Sequence, residues 1–268
     1  MPGITFIASN QITLNMTRAG RDDGLPLVFI NSLGSDLRIW DGVVPHLVDH
    51  AGLIRYDKRG HGLSDCPPAP YSIRDHTEDL HGLLELIGIT EAVLIGISVG
   101  GMIALDFAIT YPEQVKALIL CDTAAKIGTS EMWNERIDTL RAHGMAHLGD
   151  AILTRWFTPS FLENQPAAAR GYYNMLTRMP VTGYTGTCEA LRDADLREAV
   201  ATIQAKALVL CGAEDASTPP DLVRGLAESL PDARFALLEG AGHLPCIEQP
   251  AKMATIIREF LEENGYVR

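Results

Sequence analysis

The pentapeptide Gly96-Ile97-Ser98-Val99-Gly100 follows the apolar run 92–95 and precedes a second apolar run that reads as a helix. Strand, G-x-S-x-G and helix in that order form a nucleophile elbow, a sharp turn that holds a serine hydroxyl clear of the backbone. Small residues at Gly96 and Gly100 let the turn close, and Gly101 lets the helix pack near the sheet. The chemistry indicated is covalent catalysis by Ser98. A serine hydroxyl is a poor nucleophile near neutral pH, so it needs a base, and the base needs an orienting carboxylate. In this setting the chain order is serine, acid, histidine. Asp215 lies just past the apolar run 207–211, and His243 just past the run 235–238, in Gly240-Ala241-Gly242-His243-Leu244-Pro245. Both stand at carboxyl ends of predicted strands, where catalytic groups gather in open α/β sheets.

Asp122, also at a strand end, is the alternative acid. Asp215 is preferred because one strand–helix unit separates it from His243. A tetrahedral intermediate needs two backbone donors. The N–H of Val99 is one, at a helix N-terminus where the dipole favours negative charge. The N–H of Leu33, in the loop Asn31-Ser32-Leu33-Gly34 after the run 27–30, is assigned as the second. The other histidines fit worse. His46, His50, His76 and His81 fall on predicted helices, in solvated or capping roles. His143 and His147 have i, i+4 spacing but lack the glutamate of H-E-x-x-H, and read as a helix surface. His61, in Asp57-Lys58-Arg59-Gly60-His61-Gly62, reads as a structural loop residue.

These residues need a scaffold of strands and helices. Alternation at Ile12, Leu14 and Met16 predicts a half-buried strand paired with 4–8 in a hairpin. The continuous apolar run at 27–30 predicts a central strand buried on both faces, and the segments 53–56, 92–95, 115–120, 207–211 and 235–238 predict further strands. Helices are predicted over 37–49, from Ser72 with Asp75 as a capping-box variant, over 99–109 and 219–230, and at the end of the chain, where Met253, Ile256, Ile257, Phe260 and Leu261 share a face. This alternation specifies a mostly parallel eight-stranded sheet with helices on both faces. It stops at Asp122-Thr123 and resumes near 203. Residues 1–123 and 203–268 are therefore expected to form the core domain, and 124–202 a helical lid insertion that lines a pocket.

Composition narrows the partners. The chain has 268 residues, 47% of them hydrophobic, and a net charge of −12, a poor match for nucleic acid or anionic membranes. The five cysteines include no C-x-x-C pair and fit a reduced, cytoplasmic protein. The first ten residues carry no basic or long apolar region of a secretory signal. Gly96, Ser98, Gly100, Gly101 and Asp106 interrupt the longest apolar stretch, so a buried strand and helix explain it better than a membrane span.

Taken together, the sequence resembles the α/β-hydrolase superfamily over nearly its whole length. The block Asp57-Lys58-Arg59-Gly60-His61-Gly62-Leu63-Ser64 follows D-x-R-G-H-G-x-S. The start Asn31-Ser32-Leu33-Gly34, where many relatives have H-G, is similar to the 3-oxoadipate enol-lactonases. So are Trp133…Arg136 and Arg155-Trp156-Phe157. The resemblance implies the α/β-hydrolase fold and a serine mechanism without metal or organic cofactor. It also implies an enol-lactone substrate of the β-ketoadipate route in aromatic catabolism. A carboxylated substrate meeting an acidic protein needs a desolvated cation, and arginine suits a carboxylate bidentately. Arg136, one helical turn after Trp133, is the first choice, with Arg155 and Arg38 as alternatives and Trp156 as a further lining residue. A small-molecule lactone or ester is the expected partner of a monomer or small homo-oligomer. Other readings are a general carboxylesterase, a C–C bond hydrolase, a cofactor-free perhydrolase and a ligand receptor on a hydrolase fold.

Overall fold

The computed structural model describes residues 4–267. Its eight strands are β1 (Ile4–Ser9), β2 (Ile12–Gly20), β3 (Leu27–Ile30), β4 (Gly52–Tyr56), β5 (Ala92–Ile97), β6 (Val115–Cys121), β7 (Lys206–Gly212) and β8 (Ala233–Leu238). They form one sheet in the order β1-β2-β4-β3-β5-β6-β7-β8. β2 pairs antiparallel with β1 and β4, and the other pairs are parallel. β3 and β5 are buried at every position, as strands with helices over both faces must be.

The core helices are α1 (Val44–Leu47), α2 (Ile73–Leu86) and α3 (Val99–Thr110). Between β6 and β7 the described residues form α4 (Ser130–His143), α5 (Gly149–Trp156), α6 (Pro159–Asn164), α7 (Pro166–Thr177) and α8 (Val181–Asp193), with no strand. These are the lid-like insertion. Helices α9 (Pro220–Ser229), α10 (Pro245–Glu248) and α11 (Pro250–Glu263) complete the chain. The capping box at the start of α2 is present, Ser72 and Asp75 satisfying each other's backbone N–H. None of the helices among the described residues is long and apolar enough to cross a membrane.

Three local expectations are corrected. The helix expected over 37–49 is a 3-10 turn (Leu37–Trp40), capped by Asp36, followed by the short α1. Pro45 lacks the N–H an interior position must donate, so it opens a new helix instead of continuing one. β2 is not half-buried over its first part: Asn15 and Thr17 are buried too, because the loop after β4 covers them and Asn15 donates to Asp57. His76 is not solvated but fully buried, its Nε2 3.5 Å from Thr187 of α8. His81 stacks on Tyr111 with ring centroids 3.9 Å apart.

Lid and core meet backbone to backbone where α8 crosses the loop after β4. A Cβ on Gly183 of α8 would fall 2.2 Å from the carbonyl oxygen of Gly60, and one on Gly60 would fall 2.5 Å from the Cα of Gly183. Gly183→Ala therefore forces α8 away from the loop after β4. The expected cost is about 1–3 kcal/mol, as for other overpacked sites, read as a lowered midpoint in thermal unfolding. An unchanged midpoint would mean that the seam yields freely.

Candidate active site

β5 ends in a turn that only a tightly packed chain holds. Ser98 has φ 58° and ψ −121°, a conformation that residues other than glycine rarely adopt. Such a conformation costs on the order of 1–3 kcal/mol and persists where its surroundings over-determine it. The Ser98 N–H donates to the Cys121 carbonyl at 2.9 Å. The Ser98 carbonyl accepts from Thr123 Oγ1 at 2.7 Å. A Cβ at Gly96 would lie 2.2 Å from the Gly100 carbonyl oxygen, and one at Gly100 would lie 2.2 Å from that of Ile30. Both glycines are thus required for the turn to pack against the end of β3. α3 starts at Val99, so the Val99 N–H belongs to the first-turn amides that no intrahelical carbonyl takes.

Two chain segments bring the remaining polar groups. Past β7, Asp215 Oδ1 accepts from the N–H groups of Ser217 and Thr218 at 2.7 and 3.1 Å. Its Oδ2 accepts from Thr218 Oγ1 at 2.5 Å and lies 2.9 Å from His243 Nδ1. Burial pushes the Asp215 carboxyl up. The pairing with His243 and the bonds from Thr218 and Ser217 outweigh it, and the carboxyl is held below its ordinary value. With Nδ1–H directed at Asp215, Nε2 of His243 is free to accept a proton. His243 shares with Ser98 a small cavity of about 70 Å³ that Leu33, Trp133, Arg136, Arg155, Trp156 and Tyr184 also line. Among the described residues no hydrogen bond spans Ser98 and His243. Catalytic contacts of this kind often tighten only when substrate binds.

Asp122, the alternative acid, is buried with φ 47°. Its Oδ1 accepts from the Gly212 N–H at 2.8 Å. Burial first, and then the neighbouring Asp215, raise its carboxyl well above the ordinary range. A carboxyl whose ionised form is disfavoured in this way is less suited to steadying an imidazolium than Asp215. Asp122, Cys211 and Asp215 also form the one group among the described residues whose metal-ligand atoms lie within 4.8 Å of one another. Burial raises the Cys211 thiol as well, which disfavours the thiolate that a metal would need.

The loop after β3 lies beside Ser98. The Gly34 N–H donates to His61 Nε2 at 3.2 Å, and His61 Nδ1 lies 3.0 Å from the Arg59 carbonyl. The acceptor role of Nε2 assigns the proton to Nδ1. Burial and the nearby Lys58 hold the His61 pKa well below its usual value, so the ring stays neutral. His61 is thus a structural residue of the loop that presents Leu33.

Arg136 and Arg155 both reach the cavity. The Arg136 guanidinium lies 5.2 Å from the Trp133 ring centroid. Burial lowers the Arg155 pKa, and the charge of Arg136 lowers it further. Among the described residues no carboxylate pairs with either. Arg38 is placed elsewhere: it borders a separate groove and pairs with Asp36, so it does not join this cavity. His143 and His147 are exposed and lie on either side of Gly144, whose φ of 78° ends α4.

Two residues of the site went unread in the sequence. Thr218 holds Asp215 through both its N–H and its hydroxyl. Glu248 accepts from the Gly242 N–H at 2.6 Å, and from the N–H and hydroxyl of Thr158 at 2.9 and 2.7 Å, tying the histidine loop to the lid. The S-T-P run after Asp215 is a usable signal for the first. The second joins residues 90 apart in sequence, and no local pattern encodes it.

Residues 26–250 match the family of the alpha/beta hydrolase fold. The chain is 35% identical over 244 residues to 3-oxoadipate enol-lactonase 2 of Acinetobacter baylyi, covering 91% of each chain. The enol-lactonase from Burkholderia xenovorans superposes with a TM-score of 0.94 at 34% identity, over 96% of this chain and 100% of that one. A thermophilic esterase from Thermogutta terrifontis with malate bound gives a TM-score of 0.91 at 27% identity, over 97% and 98% of the two chains.

Proposed function

The chain belongs to the α/β-hydrolase family and is a hydrolase of the carboxylic ester type, and on that premise we propose that it converts 3-oxoadipate enol-lactone to 3-oxoadipate. The observation that carries this reading is the pair of guanidinium groups, Arg136 and Arg155, in the cavity that Ser98 and His243 share. A carboxylate on the substrate supplies the counter-charge they lack.

In this reading the Ser98 hydroxyl attacks the lactone carbonyl while His243 Nε2 takes its proton and Asp215 steadies the imidazolium. The N–H groups of Leu33 and Val99 receive the oxyanion. The ring C–O bond breaks, the leaving enolate takes the proton from His243, and the enol becomes a ketone. That last change makes opening effectively irreversible. Water, deprotonated by the same nitrogen, then splits the acyl-enzyme and releases a second carboxylate. The five free cysteines fit a reducing compartment.

The test is a panel of the enol-lactone, p-nitrophenyl acetate and a ring-cleavage dienoate. The lactone is expected to turn over at least about 100-fold faster than the others. Turnover of the lactone below about one per minute, far under the usual enzyme range, rejects the assignment. Within the panel, Arg136→Ala is expected to raise KM for the lactone by about 10–100-fold, the worth of a charge-assisted hydrogen bond of roughly 1.5–3 kcal/mol. The neutral ester should be spared. Equal losses on both substrates would remove Arg136 from the carboxylate site.

A further inference from the structure

The mechanism above leaves the buried amine of Lys58 unused. Lys58 is 1% exposed, and its Nζ donates to the Ser32 carbonyl at 2.6 Å. Burial is the larger influence on this amine and lowers its pKa well below the usual lysine value, while Asp57 and Asp36 oppose the shift. Taking an ammonium out of water is among the most unfavourable things a core can contain. The hydrogen bond is available in either protonation state, because both carry N–H donors.

The place of that bond matters. The Ser32 carbonyl and the Leu33 N–H belong to one peptide group. In a trans peptide the C=O and N–H bonds point in opposite directions, so a donor on the carbonyl faces away from whatever the N–H serves. We propose that Lys58 is a positioning residue of the oxyanion hole, holding and polarising the Ser32–Leu33 peptide so that the Leu33 N–H meets the developing oxyanion. Drawing electron density toward the carbonyl leaves the amide hydrogen more positive, the polarisation that runs through chains of hydrogen bonds. The neighbouring peptide is held from the other side, its Gly34 N–H on His61 Nε2 at 3.2 Å. Lys58 and His61 stand in one loop, so the segment after β4 grips the peptides on both sides of Leu33. Asp57 of the same loop accepts the Leu37 N–H at 2.8 Å and fixes the far end of the turn. This role rests on the reading of Leu33 and Val99 as the oxyanion donors.

The experiment uses p-nitrophenyl acetate, which needs no carboxylate site, and phenylboronic acid, which forms a tetrahedral adduct on a reactive serine. Lys58→Met keeps the length and removes the donor; Lys58→Gln keeps a neutral donor on a shorter stem and serves if Lys58→Met does not fold. Removing an oxyanion donor outright costs about 10²–10³ in rate, so loss of its support is expected to lower kcat by about 30–100-fold. KM should stay within about threefold, and boronate affinity should fall in parallel with kcat. Lys58→Gln should retain more activity than Lys58→Met. A folded variant with kcat within threefold of the parent, or one that loses kcat without losing boronate affinity, overturns the role of Lys58 alone. Release of p-nitrophenolate by the parent that does not depend on Ser98 overturns the hydrolase reading, and the Lys58 role with it.

Discussion

Ser98→Ala is expected to lower kcat on the enol-lactone by about 10⁵–10⁶, the loss seen when the nucleophile of a serine triad is removed. Ser32, Ser217 and Thr218 also line the cavity, but none of them stands at the strand–helix turn that presents Ser98. The neighbours of Ser98 at the turn are glycines and apolar residues, and a hydroxyl one position away would face the sheet or the interior of α3. The substitution should leave the fold intact, because the backbone bonds to Cys121 and Thr123 use the main chain of residue 98. Loss of a single oxygen from a residue 7% exposed removes little packing. The measurement is the disappearance of enol-lactone absorbance, with thermal unfolding as a control. Residual activity above about one part in 10³, in protein shown by mass spectrometry to be free of parent enzyme, would mean that the serine is not the nucleophile. A direct attack of water activated by His243 would then be the better account.

The reach of the sequence follows how local each signal is. The central strands β3 and β5 show themselves as apolar runs, because burial on both faces leaves little room for polar positions. The elbow is legible for the same reason: Gly96 and Gly100 are dictated by contacts within a few residues and by the adjacent end of β3. The choice of Asp215 and His243 rests on strand ends as the place where catalytic groups gather, and both lie past strand ends, paired with each other. What could not be read depends on lid packing. His76 looks like a surface position on an amphipathic helix until α8 lies across it. Arg38, Arg136 and Arg155 are equivalent as letters, and only the insertion's path separates the one paired with Asp36 from the two that reach the cavity. Lys58 sits in a motif whose glycines and histidine draw attention. Its own significance appears only when its amine is seen on the carbonyl behind Leu33.

Asp215→Asn is expected to cost about 10⁴ in kcat with little change in KM, as when the orienting acid of a serine triad becomes an amide. The amide retains an oxygen that accepts from the N–H groups of Ser217 and Thr218. Its nitrogen then faces His243 Nδ1 at the position now held by Oδ2. An amide N–H donates, so Nδ1 becomes the acceptor and the ring proton moves to Nε2, where it blocks removal of the Ser98 proton. Thr218 Oγ1, which now donates to the same carboxylate oxygen, loses its acceptor as well. The contrast variant is Asp122→Asn. Burial and Asp215 keep that carboxyl toward the neutral form, so an amide is close to what the site already holds, and kcat should fall less than about tenfold. The pH dependence of stability separates the two further. The Asp215 pKa is lower in the folded protein than in the unfolded chain, so it contributes stability above the ordinary carboxylate range. That contribution is lost as pH falls through the depressed folded value. Asp122 is shifted the opposite way: its raised pKa makes ionisation in the folded state unfavourable, and stability falls as pH rises from the ordinary carboxylate range toward the folded value. Acid titration of unfolding should therefore lose its low-pH, Asp215-dependent component in Asp215→Asn and keep it in Asp122→Asn. A larger kinetic loss in Asp122→Asn than in Asp215→Asn would exchange the two roles and place the orienting acid after β6.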